Sequence, residues 1–146
     1  MTPTRVLFPQ ILDSLEEAGA TKHNIKIIIA LGTHRPMTSQ ELKEKYGAEI
    51  VEEYDFVNHE SGNEMELEYL GGVESADLPI WINKDFMKAE VRITTGNIIP
   101  HFAGWGAGAK TLLPGLAGEK TVGKVHIHSR PKPRMRSVWS RTQPEI

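Results

Sequence analysis

Ile25-Lys-Ile-Ile-Ile-Ala-Leu31, running into Gly32-Thr-His-Arg-Pro36, is the stretch whose reading decides the fold. A short, apolar, β-branched run of this kind has the composition of a buried strand in a parallel sheet, and Gly32 stops it. Pro36 disfavours helical geometry at Arg35, so a connection follows the strand. Working outward, Thr2-Pro3 marks a helix start, with Leu7, Ile11, Leu12 and Leu15 on one face before Gly19 ends the run, while Pro9 leaves its first turn open. Thr38-Ser-Gln-Glu41 is a capping box, in which the hydroxyl and the carboxylate satisfy free amides reciprocally, and it predicts a short helix to Gly47. Tyr54 to Asn58 reads as a strand, Glu64 to Leu70 alternates as a half-buried one, and Pro79 to Asn83 extends the sheet. Lys84 to Ala89 suits a short helix, Glu90 to Thr94 a strand, and Gly118 to His128 a helix.

This order implies an α/β fold: an open, mostly parallel, Rossmann-like sheet with flanking helices, in which ligands collect beyond the carboxyl ends of the strands. No internal repeat is present. At 146 residues, with 39% hydrophobic and 25% charged, the chain has the composition of one globular domain. The formal net charge of -2 argues against a general polyanion binder, although the charge is uneven. Residues 41 to 68 carry ten acidic and two basic side chains, and residues 124 to 146 carry six basic and one acidic. Both runs read as solvated surface. With Trp139 the basic tail has a modest nucleic-acid signature, but no reader motif accompanies it. Cysteine is absent, which excludes disulfides, thiolate zinc sites, iron–sulfur ligation and cysteine nucleophiles, so a metal would need histidine or oxygen ligands. The start of the chain lacks a basic segment followed by an apolar one, and no apolar run reaches membrane-spanning length, so a cytoplasmic location is expected.

Three histidines fall where such a sheet places a site: His34 after the strand at 25–31, His59 after that at 54–58, and His101 after that at 90–94. Imidazole exchanges protons near neutral pH, which suits His34 to acid/base work, with Arg35 beside it for an anionic substrate or cofactor. Asn58-His59 is equally explained as a hydrogen-bonded turn. Gly104-Trp-Gly-Ala-Gly-Ala-Lys110-Thr111 is a flexible run ending in a single amine, which can hold an anion or form a covalent bond. A Walker loop requires glycine immediately before the lysine, and here Ala109 intervenes; the alternating Gly104, Gly106 and Gly108 also miss the dinucleotide fingerprint. His126-Ile-His128 places two imidazoles on one side if extended, and roughly 160–200° apart if helical.

Taken in order, Gly32-Thr-His-Arg-Pro-Met-Thr38, Asn58-His59, Gly96-Asn-Ile-Ile-Pro-His101 and the glycine run continuing to Leu-Leu-Pro-Gly115 resemble the lactate racemase family of nickel-pincer enzymes. The resemblance extends from the helix near Leu7 to about His126. It implies one part of a two-domain enzyme, with residues 1–128 as an N-terminal catalytic-type domain incomplete at its start, 129–146 as an irregular basic tail, and the second domain absent. It further implies a nickel-pincer nucleotide (pyridinium-3-thioamide-5-thiocarboxylic acid mononucleotide with nickel), tethered through Lys110 within the loop of Gly104, Gly106 and Gly108.

His126, sixteen residues beyond that lysine, is the implied nickel ligand, with His128 as the alternative register. His34 and His101 resemble the paired acid/base histidines on opposite faces of a 2-hydroxy acid such as lactate. One takes the hydroxyl proton as hydride leaves the α-carbon for the cofactor, and return to the other face of the planar keto acid inverts the centre. Cofactor-biosynthetic proteins and a second domain or subunit are the implied partners. The family's usual Gly-Phe-Ser-Gly-Gly-Ala-Lys loop is here Gly104-Trp-Gly-Ala-Gly-Ala-Lys110, which bears on cofactor fit or substrate choice. The alternative readings are a non-catalytic anion- or nucleotide-binding module, or an inactive fragment of such an enzyme.

Overall fold

In a computed structural model of the chain, residues 3–97, 99–101, 104–106 and 108–128 are described, with backbone alone for 99–101, 104–106 and 108. The first helix, α1 (Thr4–Glu17), contains Pro9 without ending there. Proline at that position forgoes one backbone bond, and packing of Phe8 and buried Leu12 against the strand behind it offsets the loss. Strand β1 (Lys26–Ile29) pairs in parallel with β2 (Asp55–Asn58), from Lys26 opposite Asp55 to Ile29 opposite Asn58. The crossover between them carries α2 (Ser39–Tyr46) and α3 (Ala48–Glu53). The capping box forms: the Glu41 amide donates to Thr38 Oγ1 at 3.3 Å, and the Thr38 amide donates to Glu41 Oε2 at 2.8 Å. Ile27 and Ile29 project from one face of β1 into a core with Leu12, Leu42 and Tyr46. This β-α-β unit is the part of the fold set by the quoted stretch.

A second core lies further along the chain. Strand β3 (Leu67–Val73) pairs antiparallel with β4 (Leu78–Asn83), with a register break between Tyr69 and Gly72. The Asn83 side chain caps α4 (Lys84–Lys88) by accepting from the Phe86 amide at 3.0 Å. Helix α6 (Glu119–His128) packs on β4 through Thr121, fully buried, whose hydroxyl donates to the Pro79 carbonyl at 2.8 Å and accepts from the Trp81 amide at 2.9 Å. Ile82, Ala117 and Val122 form the centre of this core. Between α4 and α6 in the chain come β5 (Ile99–His101) and β6 (Gly104–Gly106), an antiparallel pair, and α5 (Gly108–Leu112).

The chain is therefore α/β, with a parallel sheet and flanking helices. Among the described residues the parallel pairing is β1 with β2, and the other two pairs are antiparallel. The strand expected at 90–94 does not form. Val91 and Ile93 are exposed there, with no strand alongside among the described residues, and the Arg92 guanidinium bonds to the carbonyls of Phe86 and Met87 at the end of α4. The glycine run, expected as a loop, contributes β6 and the start of α5, and α3 was not anticipated. The basic tail from Ser129 lies outside the described residues. Among those described, no helix is long and apolar enough to cross a membrane.

Candidate functional site

A cleft of about 1210 Å³ opens between the end of β1 and the α5–α6 region. Gly32, His34, Gly96, Lys110, Gly115 and His126 all line it. Its floor is a backbone contact between distant segments. Gly32 takes a left-handed φ of 58°, and its amide donates to the Gly115 carbonyl at 2.8 Å. A Cβ on Gly32 would stand 3.3 Å from the Pro114 carbonyl oxygen, and one on Gly115 only 2.2 Å from that of Thr111. Glycine at both positions permits the approach.

His34 is exposed in the loop after β1, and its amide donates to the Leu31 carbonyl at 3.0 Å. The loop is held from β2: Asn58 Oδ1 accepts from the Met37 amide and Asn58 Nδ2 donates to the Met37 carbonyl, both at 3.0 Å. Lys110 is exposed on α5 across the cleft, and among the described residues its amine has no ionic or hydrogen-bonding partner. His126 Nδ1 lies 2.8 Å from the Val122 carbonyl one turn earlier on α6. A carbonyl only accepts, so Nδ1 carries a proton, and in the neutral ring Nε2 is the nitrogen that presents a lone pair. That is the arrangement in which ligating imidazoles are oriented, with one ring nitrogen tied to a carbonyl and the other available to a metal. His128, two residues on, turns away and donates from Nε2 to the Ala76 carbonyl at 2.7 Å, outside the cleft lining. The helical geometry thus separates the two imidazoles that an extended chain would have aligned.

Arg35 departs from its expected role. Its guanidinium holds Glu41 bidentately at 2.9 and 2.5 Å, and it does not line the cleft. Arg35, followed by the Thr38 amide, keeps the Glu41 carboxyl down at about 2. The ion pair ties the His34 loop to the first turn of α2. His59 departs as well: it is buried within the protein, with Nε2 3.0 Å from the Ala117 carbonyl. His101 lies in β5, opposite Gly104 of β6, instead of following a strand at 90–94; its side chain is outside the described residues. Gly106 pairs with Ile99, and Gly108 begins α5. Among the described residues no three histidine or carboxylate side chains converge as a self-sufficient metal site.

Sequence reasoning passed over Asn58, Thr111 and Gly115 as parts of this site. The Asn58-His59 and Pro114-Gly115 pairs were the available signals, but their meaning depends on contacts between segments far apart in the chain.

The family model for the lactate racemase N-terminal domain matches residues 1–137. A lactate racemase of Thermoanaerobacterium thermosaccharolyticum is 38% identical over 121 residues, covering 82% of this chain and 28% of that protein. A lactate racemase of Lactiplantibacillus plantarum is 37% identical over 125 residues, covering 85% and 29%. The chain thus spans under a third of the length of these curated relatives. The solved lactate racemase apoprotein of T. thermosaccharolyticum superposes with a TM-score of 0.77 at 38% identity, over 82% of this chain and 28% of that one. A Thermotoga maritima protein of known structure shares the fold at 24% identity with a TM-score of 0.68, over 86% and 33%.

Proposed function

We propose, because this chain belongs to the lactate racemase N-terminal domain family, that its cleft forms one side of a site racemising or epimerising a 2-hydroxy acid. The observation that carries the reading is the convergence of His34, Lys110 and His126 on a single cleft. The donor set suits a nickel-pincer nucleotide. The Lys110 amine, without a partner among the described residues, and the exposed His126 imidazole face the same space, and nickel accepts imidazole readily. With no cysteine in the chain, soft sulfur ligands would come from the group itself. When bound, it supplies a hydride acceptor for the substrate α-carbon.

The chain's own residues do the rest. Lys110 serves as tether through Nζ, and His126 as ligand through Nε2, with α6 fixing the ring. His34 takes the hydroxyl proton of one enantiomer and returns it, and His101 is assigned the opposite face, because the two enantiomers present their hydroxyls differently. Gly104, Gly106 and Gly108 add no side chain of their own to the run that leads to Lys110. Arg35 is assigned to shaping the His34 loop instead of binding the cofactor, since its guanidinium is engaged by Glu41.

The test is the intact mass of protein made together with cofactor-biosynthetic proteins, with nickel measured on the same sample. Added mass on Lys110 and bound nickel are expected, and both are lost in Lys110→Arg. Racemisation is assayed with the remainder of a racemase-length protein supplied, where His34→Gln lowers turnover by about 10²–10⁴-fold. Active protein carrying an unmodified Lys110 refutes the tether.

A further inference from the structure

Asn58, the last residue of β2, and His59 and Ser61 just beyond it tie together the segments that carry the two sides of the cleft. Asn58 clamps the backbone of Met37, and so the loop that carries His34. The His59 amide donates to the Ile29 carbonyl at 3.1 Å, fixing that residue to the end of β1. Its side chain reaches the other way, from Nε2 to the Ala117 carbonyl in the connection between α5 and α6. The Ser61 carbonyl then accepts from the Glu119 amide at 2.9 Å, at the start of α6. A segment read from sequence as a turn therefore links the part bearing His34 to the part bearing Lys110 and His126.

The protonation of His59 is fixed by its neighbours. Ala117 offers a carbonyl, so Nε2 must carry a proton. Asn83 Oδ1 is committed to the Phe86 amide, which leaves the Asn83 amide nitrogen facing His59 Nδ1 at 3.5 Å. Nδ1 must therefore be the unprotonated nitrogen, since an imidazolium would set an N–H against an N–H in a site with 2% exposure. Desolvation accordingly pushes the His59 pKa down, against the opposing influence of the Ala117 carbonyl and the Glu66 and Glu60 carboxylates.

We propose that His59, held as the neutral Nε2–H tautomer by Asn83, is a positioning residue that sets the separation of His34 from Lys110 and His126. The kinetic consequence rests on the function proposed above; the structural one does not. On the unsubstituted 146-residue chain at about pH 7, nitrogen NMR should show the Nε2–H tautomer. A protonated Nδ1 overturns the proposal. His59→Phe keeps the bulk and removes both polar contacts, whereas His59→Gln retains a donor for Ala117.

In His59→Phe, amide exchange at Gly32 and Glu119, which donate to the Gly115 and Ser61 carbonyls, should accelerate at least about tenfold while the β1–β2 ladder is unchanged, and His59→Gln should recover most of the protection. Unchanged exchange, or equal acceleration everywhere, overturns it. With the nickel cofactor loaded and the complementary domain supplied, His59→Phe should lower kcat with little change in KM, and His59→Gln should restore it; an unaltered kcat overturns the positioning role. A wild-type protein without racemase activity refutes the proposed function alone, and the exchange result still decides the brace.

Discussion

Gly115→Ala tests the packing at the floor of the cleft. The new methyl would lie 2.2 Å from the Thr111 carbonyl oxygen, 2.9 Å from its carbon and 3.0 Å from Ala30 Cβ. Two of the three atoms belong to backbone, so no side chain can swing aside. Restoring ordinary van der Waals contact needs a move of roughly 1 Å between the Pro114-Gly115 turn and the end of α5. That move would also strain the bond from the Gly32 amide to the Gly115 carbonyl and the bond from the Gly115 amide to the Lys110 carbonyl, 2.8 and 3.1 Å long. Overpacking with a weakened buried hydrogen bond costs about 2–4 kcal/mol. For a domain of this size the melting temperature should fall by about 6–12 °C, read by circular dichroism. Gly123→Ala is the control, because nothing lies within 4 Å of its added methyl. It sits within α6 and should stabilise the protein by up to about 1 kcal/mol, since alanine is the better helix former. A Gly115→Ala protein that melts within about 2 °C of wild type refutes the claim that this turn is closed to a side chain.

Other perturbations address the second core and the charges. Thr121→Val preserves shape but leaves the Pro79 carbonyl and Trp81 amide without their partner, and should cost about 2–4 kcal/mol in urea unfolding. The folded His59 pKa lies below its ordinary value of 6.5, so the unfolded chain binds the proton first as pH falls. The stability owed to neutral His59 is complete above about 6.5 and is lost as pH falls through the folded pKa, so the slope of unfolding free energy below that pH should flatten in His59→Gln. An identical slope in the variant would show that other groups govern it. Arg35→Ala should raise the Glu41 carboxyl from about 2 toward its usual range, followed by carbon NMR titration; an unmoved midpoint would show that the Thr38 amide alone holds it down.

The elements legible in the sequence were those specified by neighbours along the chain. The β-branched run became β1, Thr38 and Glu41 formed their capping box, and the helix expected at 118–128 formed at Glu119–His128. The residues 90–94 share the composition of a strand, but a strand needs an adjacent one, and that is a property of the whole fold. The glycines made 104–111 read as a flexible run, although three residue pairs suffice for a short ladder between 99–101 and 104–106. At the site, His34 and Lys110 were legible because a histidine beyond a strand and an amine closing a glycine run stand out locally. The pairing of Arg35 with Glu41 was not legible, because Glu41 was already assigned to the cap. The bracing by Asn58 and His59 was hidden for the same physical reason as the closeness of Gly32 and Gly115. Each depends on a contact between segments brought together by folding.

The two hydrophobic cores also differ in when they can be built. Every residue of the first, around Ile27, Ile29 and Leu42, lies between positions 8 and 56, whereas the second draws on 80 to 122. A ribosome releases the chain from its N-terminus, and folding units close as they emerge. The half that presents His34 can thus be assembled while Lys110 and His126 are still untranslated, and the later half is added to a template already standing.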